Sequence, residues 1–407
     1  MLEPGQGEDA PRRPAPPSPA LRLTRLMLRD FRSYPALDAR FAGRVVVIAG
    51  ENGVGKTNLL EAISLLGPGR GLRGARMAEL GRDGLPWAAS GRFETALGPF
   101  DIGTGTASEG GAERRAWMLD GVARKSSTDL AERVAAVWLT PQMDRLFQEG
   151  ASGRRRFLDR LVWALEPAHA REVAAHDHAM AGRNRLLAQG RPGGAAGGRA
   201  DPAWLDALEE QMARHAVAAV ASRRALARQL NAVLAERRSL GAFPAARVDL
   251  ICPIAAALED SPALAVEDAL RASLAQQRRR DAAAGGAAEG AHRTDMTMVH
   301  LEKMQPAALC STGEQKALLI ATVLAHAALI AQARGFAPLL LLDEVAAHLD
   351  QRRREALFAA LATLPAQSFL TGTDIGVFAP LAGVAEGFAA NAGRLEPIAG
   401  FGVPDHR

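Results

Sequence analysis

The chain has 407 residues, room for two or three domains, and 48% of them are apolar, enough to fill real cores. No run of eighteen apolar residues occurs, so the sequence holds no membrane span on that criterion. A net charge of +4, a pI near 9.5 and clustered arginines point to an anionic partner, while two distant cysteines, Cys252 and Cys310, show no metal-type spacing and fit a reduced cytoplasm.

Residues 1–20 are rich in Pro, Gly and Arg, carry no hydrophobic signal segment, and read as a disordered extension. Residues 21–150 read as strands with short helices. Leu21 to Leu28 alternates, and Leu28 to Arg32 leads into a turn before Phe41. The apolar run Val45 to Ile48 then meets Gly50-Glu51-Asn52-Gly53-Val54-Gly55-Lys56-Thr57, which fits G-x-x-x-x-G-K-[ST] at every fixed position. Helix-forming Asn58 to Ile63 follows, so the motif stands between strand and helix, where a phosphate cradle must stand. The glycines let backbone N–H groups turn toward phosphate oxygens, Lys56 reaches the β- and γ-phosphates, and the Thr57 hydroxyl suits Mg²⁺. Only four of the 49 basic residues are lysines, which makes a lysine at 56 informative: guanidinium cannot replace a compact ammonium there. Trp87 to Thr95, Arg115 to Leu119 and Val134 to Leu139 are further strand candidates, and Thr140-Pro141-Gln142-Met143-Asp144 follows the last of them.

From Arg154 the texture becomes helical, with Phe157, Leu158, Leu161, Val162 and Leu165 on one face. Residues 189–198 read as a flexible tip. Asp201 as N-cap and Pro202 in the first turn open a long helix that the periodicity carries to about Ser239, roughly 55 Å at about 1.5 Å per residue. A shorter helix, Pro262 to Arg280, precedes a second loose stretch, Asp281 to Gly290. Arginines cluster at 154–156, 223–224, 237–238 and 278–280, where the plain reading is solvated helix faces.

Toward the C-terminus, Ser311-Thr312-Gly313-Glu314-Gln315-Lys316 before an apolar helix reads as a capping box, with Ser311 at N-cap and Glu314 three residues on. Its free N–H groups could also face an anion. Leu339 to Leu342, ending in Asp343-Glu344, has the Walker B arrangement: a buried strand delivers Asp343 beside the phosphate loop to hold Mg²⁺, and Glu344 serves as general base.

Taken in this order, the motifs resemble the bacterial RecF family, ABC-type ATPases related to SMC proteins, over most of residues 21–400. The resemblance rests on Leu28 to Tyr34, Gly50 to Asn58, Arg154 to Asp159, His292 to Asp295, Ser311 to Lys316, Leu340 to Asp350, and Thr371 to Thr373. It implies an α/β fold: an ABC-type phosphate-loop ATPase head (residues 21–150 and 291–407) with an inserted helical arm (151–290). It implies ATP and Mg²⁺ as cofactors, Asn58 and Gln142 beside the nucleotide, and a D-loop at Asp350. Ser311, Thr312, Gly313, Glu314 and Gln315 would complete the site of a second copy in an ATP-dependent homodimer. Single-stranded and gapped duplex DNA would be the ligand, with Arg154, Arg155, Arg156 and Arg293 among the candidate contacts to its phosphates; RecR- and RecO-type mediators would be the partners, and RecA the protein loaded. Gln142 stands where most relatives carry an acid, and Thr371-Gly372-Thr373 replaces the switch histidine of transport ATPases, which implies slow turnover. An SMC-type tether needs far longer arms. A transporter subunit needs the switch histidine, and a small-molecule kinase would leave Ser311 to Lys316 unexplained.

Overall fold

The computed structural model describes residues 21–109, 112–125, 128–189, 201–236, 243–347 and 349–402. A six-stranded sheet forms the centre, in the order Arg394–Pro397, Ala385–Asn391, Val45–Ala49, Ser368–Gly372, Leu339–Leu342, Ala136–Leu139. All neighbours are parallel except the pair formed by the first two. Val45–Ala49 and Leu339–Leu342 are buried at every position, as strands covered on both faces must be. Their side chains alternate between two cores. Val46, Ile48, Leu339 and Leu341 face an antiparallel sheet, while Val45, Val47, Leu340 and Leu342 face helices.

The antiparallel sheet runs Tyr34–Arg40, Arg22–Phe31, Ala88–Thr95, Gly98–Glu109, Ala112–Leu119, Val122–Arg124. Phe31 pairs with Tyr34, so Arg32 and Ser33 make the tight turn, Arg32 at φ 50°. Gln367, a fully buried amide between the sheets, accepts from Leu23 N at 2.7 Å and donates to the carbonyls of Leu23 and Gly43 at 3.1 Å each. It thereby satisfies backbone groups that would otherwise be orphaned at the seam.

On the other face lies the helix Thr312–Arg334, buried almost all round. By length and composition alone it could cross a membrane, yet 78% of its most apolar window is buried in the core. Against it stack Ala151–Leu165 and the basal part of Pro202–Glu236. The rest of the helical region comprises His169–Gln189, Pro253–Asp260, Ala263–Ala284 and a small sheet of Ala246–Ile251, Asp295–His300 and Gln305–Pro306. Asp201 caps the long helix through Ala203 N at 2.9 Å. That helix is 35 residues in its described span, about 52 Å at about 1.5 Å per residue. Ser239 and the expected tip at 190–198 lie outside the described residues.

One expectation is overturned. Asp281 to Gly290 is not a loose stretch: the helix continues to Ala284 and ends at Gly285 in the left-handed conformation. Asp281 is buried and accepts from Arg183 Nη1 at 2.7 Å, and its other oxygen accepts from Ala288 N. Ala287 and Ala291 are buried as well. Ala- and Gly-rich composition reads as slack in a sequence, but here small side chains permit close approach, and one carboxylate anchors the turn.

Candidate nucleotide site

The phosphate loop takes its shape from three glycines that no L-residue could replace without strain or clash. Gly53 and Gly55 have φ of 84° and 107°, and a Cβ on Gly50 would sit 2.5 Å from the Ala390 carbonyl oxygen. A Cβ on Gly55 would meet Ser33 Oγ at 2.5 Å, because the tight turn of the antiparallel sheet braces the loop. Tyr34 Oη donates to the Gly55 carbonyl at 3.1 Å, and Asn58 Nδ2 donates to Ser33 Oγ at 3.0 Å. Glu51, Asn52 and Gly53 are exposed and Val54 partly so.

Lys56 begins the helix and is buried. Its ammonium donates to the Gly50 and Glu51 carbonyls at 2.6 and 2.9 Å and lies 3.4 Å from Glu344 Oε1. Thr57 Oγ1 is 3.0 and 2.9 Å from the two Asp343 oxygens. The parallel register does this work: Leu342 ends its strand beside the phosphate-loop end of the sheet, and the next two residues turn toward the loop. Glu344 has φ 48°, a conformation costly for a residue with a Cβ and one that recurs where side chains must be aimed. Its N–H donates to Thr371 Oγ1 at 2.9 Å, and that hydroxyl donates to Asp343 Oδ1 at 2.7 Å.

One hydroxyl and one carboxylate, both hard oxygen donors beside a phosphate cradle, fit Mg²⁺, which keeps waters and substrate oxygens as its remaining ligands.

The Ser311 motif forms the capping box: Ser311 Oγ accepts from Glu314 N, and Glu314 Oε2 accepts from Ser311 N at 3.0 Å. Lys303 also pairs with Glu314, and with the bonds from Ser311 this pushes the Glu314 carboxyl down to about 2. Among the described residues no hydrogen bond or ion pair links Ser311, Thr312 or Gly313 to the phosphate loop. Gln315 is buried and donates to the Cys310 carbonyl. Asp350 caps the helix Gln351–Thr363 through Arg353 N. Gln142 is exposed on a short helical turn, Pro141–Arg145.

Lys316, Asp144 and Thr371, which the sequence motifs contain but to which sequence reasoning gave no separate role, join these parts. Lys316, buried, donates to the Ala347 carbonyl at 2.7 Å and lies 3.5 Å from Asp144 Oδ2, so the Ser311 helix, the Gln142 turn and the Glu344 turn meet at one ammonium. Thr371 stands in the Thr371-Gly372-Thr373 motif, but its bonds to Asp343 and Glu344 show only in the fold. The candidate phosphate-binding arginines are unequal. Arg154 makes a bidentate pair with Asp295 at 2.8 and 2.7 Å, and Arg155 donates to the Thr294 carbonyl. Arg293 is exposed while donating to the Ala287 carbonyl, and Arg156 is exposed.

Comparison with known proteins aligns most of the chain. The DNA replication and repair protein RecF of Mesorhizobium japonicum is 45% identical over 377 residues, covering 92% of this chain and 97% of that protein. The protein of the same name from Rhizobium meliloti is 45% identical over 378 residues, with 92% and 98% covered. Among solved structures, the recombination mediator protein RecF-ATPrS in the RecFOR pathway shares the fold, with TM-score 0.81, 21% identity, and 94% of this chain and 100% of that one covered. No family model matches the chain.

Proposed function

The chain belongs to the RecF family of DNA replication and repair proteins, and from that premise we propose that it is an ATP-driven switch that closes as a dimer on DNA and opens on hydrolysis. The observation that carries the reading is the convergence of Lys56, Thr57, Asp343, Glu344 and Thr371 at one end of the parallel sheet. A γ-phosphate in the loop would take the Lys56 ammonium from the Gly50 and Glu51 carbonyls and draw it from Glu344. That frees a carboxylate, already aimed by its backbone and by Thr371, to accept a proton from the attacking water. Bound Mg²⁺ would be held by Thr57 and Asp343 and would offset charge on the phosphate oxygens.

The site of one chain lacks a second wall. The N-terminus of the Ser311 helix supplies free N–H groups and a positive dipole end, so a second copy laid head to tail can cap the γ-phosphate. Glu314 already sits over that terminus. The incoming phosphate must therefore displace or share its N–H partners, which sets a threshold that ADP does not reach. Exposed arginines then contact DNA phosphates without sequence preference, at gapped or single-stranded DNA. As in the RecFOR pathway named for the solved relative, RecR- and RecO-type partners and help in loading RecA follow from this reading, as does a cytoplasmic setting and slow hydrolysis. An SMC-like tether is the weaker reading, because an arm of about 52 Å offers no long reach.

Light scattering tests the switch. With Glu344→Gln to block turnover, ATP should double the mass and ADP should not. Ser311→Arg should bind ATP yet stay monomeric, because that residue serves the partner's phosphate. Equal mass with ATP and ADP would refute the shared site, and ATPase activity with and without gapped duplex separates a DNA-linked switch from an idle ATPase.

A further inference from the structure

Away from the nucleotide, the helices Ala151–Leu165 and His169–Gln189 and the edge strand Ala136–Leu139 leave a cleft of about 500 Å³. That lies within the range of small-ligand sites. The first helix lines it with Arg156, Asp159, Arg160 and Trp163, which share one face by their spacing of three and four. The loop after the phosphate-loop helix closes one side, where Gly69 lies against the Trp163 ring: a Cβ there would come within 2.7 Å of it. The walls are mainly apolar, with Val134, Val173 and the rings of Trp138 and Trp163.

Arg160 in this wall has no carboxylate partner among the described residues. Arg160 lies against Trp138 and Phe157, its guanidinium carbon 4.7 and 5.2 Å from their ring centroids. It donates to the Trp138 carbonyl and to Met143 Sδ, and to no carboxylate. Arg334 donates to the carbonyls of Ala164 and Ala131, and the Glu132 carboxylate favours its charged form. The carboxylate nearest in sequence, Asp159, has both oxygens taken by Arg223 and His169. Asp177 at the exposed end pairs with His176. Burial pushes the Arg160 guanidinium down to about 9 and lowers that of Arg334 as well.

We propose that this cleft binds a small organic anion with an apolar body, its charged group toward Arg160 and its body against Trp163. The requirement for both parts comes from the wall itself. An inorganic anion would leave the rings exposed, and a neutral hydrocarbon would leave the Arg160 guanidinium without a counter-charge.

Calorimetry on the full chain tests it with paired probes: benzoate, 1-naphthoate and octanoate against benzamide, 1-naphthamide and octanamide. At least one carboxylate should bind saturably, one per chain, and its amide at least tenfold more weakly. Ala174→Phe, at an exposed position on the rim, should weaken that carboxylate at least tenfold while ATP binding and the near-UV spectrum stay unchanged. No saturable binding by any of the three carboxylates would overturn the proposal. So would an amide as tight as its acid, or undiminished binding in the Ala174 variant.

Discussion

Charge is buried in two regions of this molecule on opposite terms. At the phosphate loop, Lys56 and Asp343 are held by weak, exchangeable partners: carbonyl oxygens, two hydroxyls, and a glutamate 3.4 Å away. In the arm, Arg183 is fully buried and met on three sides, by Glu209 at 2.8 Å, Asp281 at 2.7 Å and the Leu274 carbonyl at 2.7 Å. Arg223 is similarly enclosed by Asp159, Thr294 and the Ala291 carbonyl. On the proposed function Lys56 changes partners when a phosphate arrives, and its shortest contacts are to carbonyls, whereas the arm's arginines are gripped by carboxylates. The difference marks where the protein works and where it is only built.

The sharpest break of this contrast is at Glu344. Glu344→Gln keeps the shape but cannot accept a proton, so single-turnover hydrolysis should fall by about 10²–10⁴-fold with ATP still bound. Lys56→Ala should instead lose ATP binding, and neither change should lower the melting temperature much. Normal hydrolysis by the Glu344 variant would remove it from the role of base.

Arg183→Met should do the reverse. It strands Asp281, about 1% exposed, at about 3–5 kcal/mol, while Glu209 keeps its pair with Arg278. Denaturant unfolding should show that loss, while ATP affinity measured below the transition stays within twofold. A large fall in ATP affinity would mean that arm and loop are not separable.

His326, fully buried on the Thr312–Arg334 helix, is pushed down to about 3 by desolvation, with Arg160 adding repulsion. The folded state therefore refuses a proton that the unfolded chain accepts below pH 6.5. Stability contributed by the neutral ring is complete above pH 6.5 and is lost as pH falls toward 3, by about 1.4 kcal/mol per unit. Between pH 6.5 and 5, His326→Leu should flatten the slope by that amount. An unchanged slope would place the titration elsewhere.

The smallest effect separates the arginines. Arg293→Ala should reduce the salt dependence of DNA binding by about one unit of log–log slope if it meets a phosphate. Arg154→Ala should change it far less, because that guanidinium is committed to Asp295. The opposite ranking in a salt titration would show that the Asp295 pair opens on DNA.

Much of the loop region was readable in the sequence because its chemistry is local. Glycines, Lys56 and Thr57 lie within eight residues, and Asp343 and Glu344 end a run of leucines that only a doubly covered strand would carry. The arm's polar network was not readable. Arg183 and Asp281 are 98 residues apart, and each looks like an ordinary charge on a helix face. The strand Gly98–Glu109 also escaped, since its glycines and polar residues show no alternation, and its place comes from pairing on both sides. Lys316 was visible as a letter in a motif, but its three-way contact depends on elements that only the fold brings together.

The order of the central sheet has a consequence for synthesis. The strand leading into the phosphate loop has two neighbours, Ser368–Gly372 and Ala385–Asn391, both from the last tenth of the chain. The amide that fastens the first strand to the centre, Gln367, arrives equally late. A nascent chain halted between residues 57 and 368 therefore carries the entire loop motif on a strand with no partner on either side. The part of the protein that is translated among the first becomes a site among the last, and an arrested product carries the loop without the strands that set its shape.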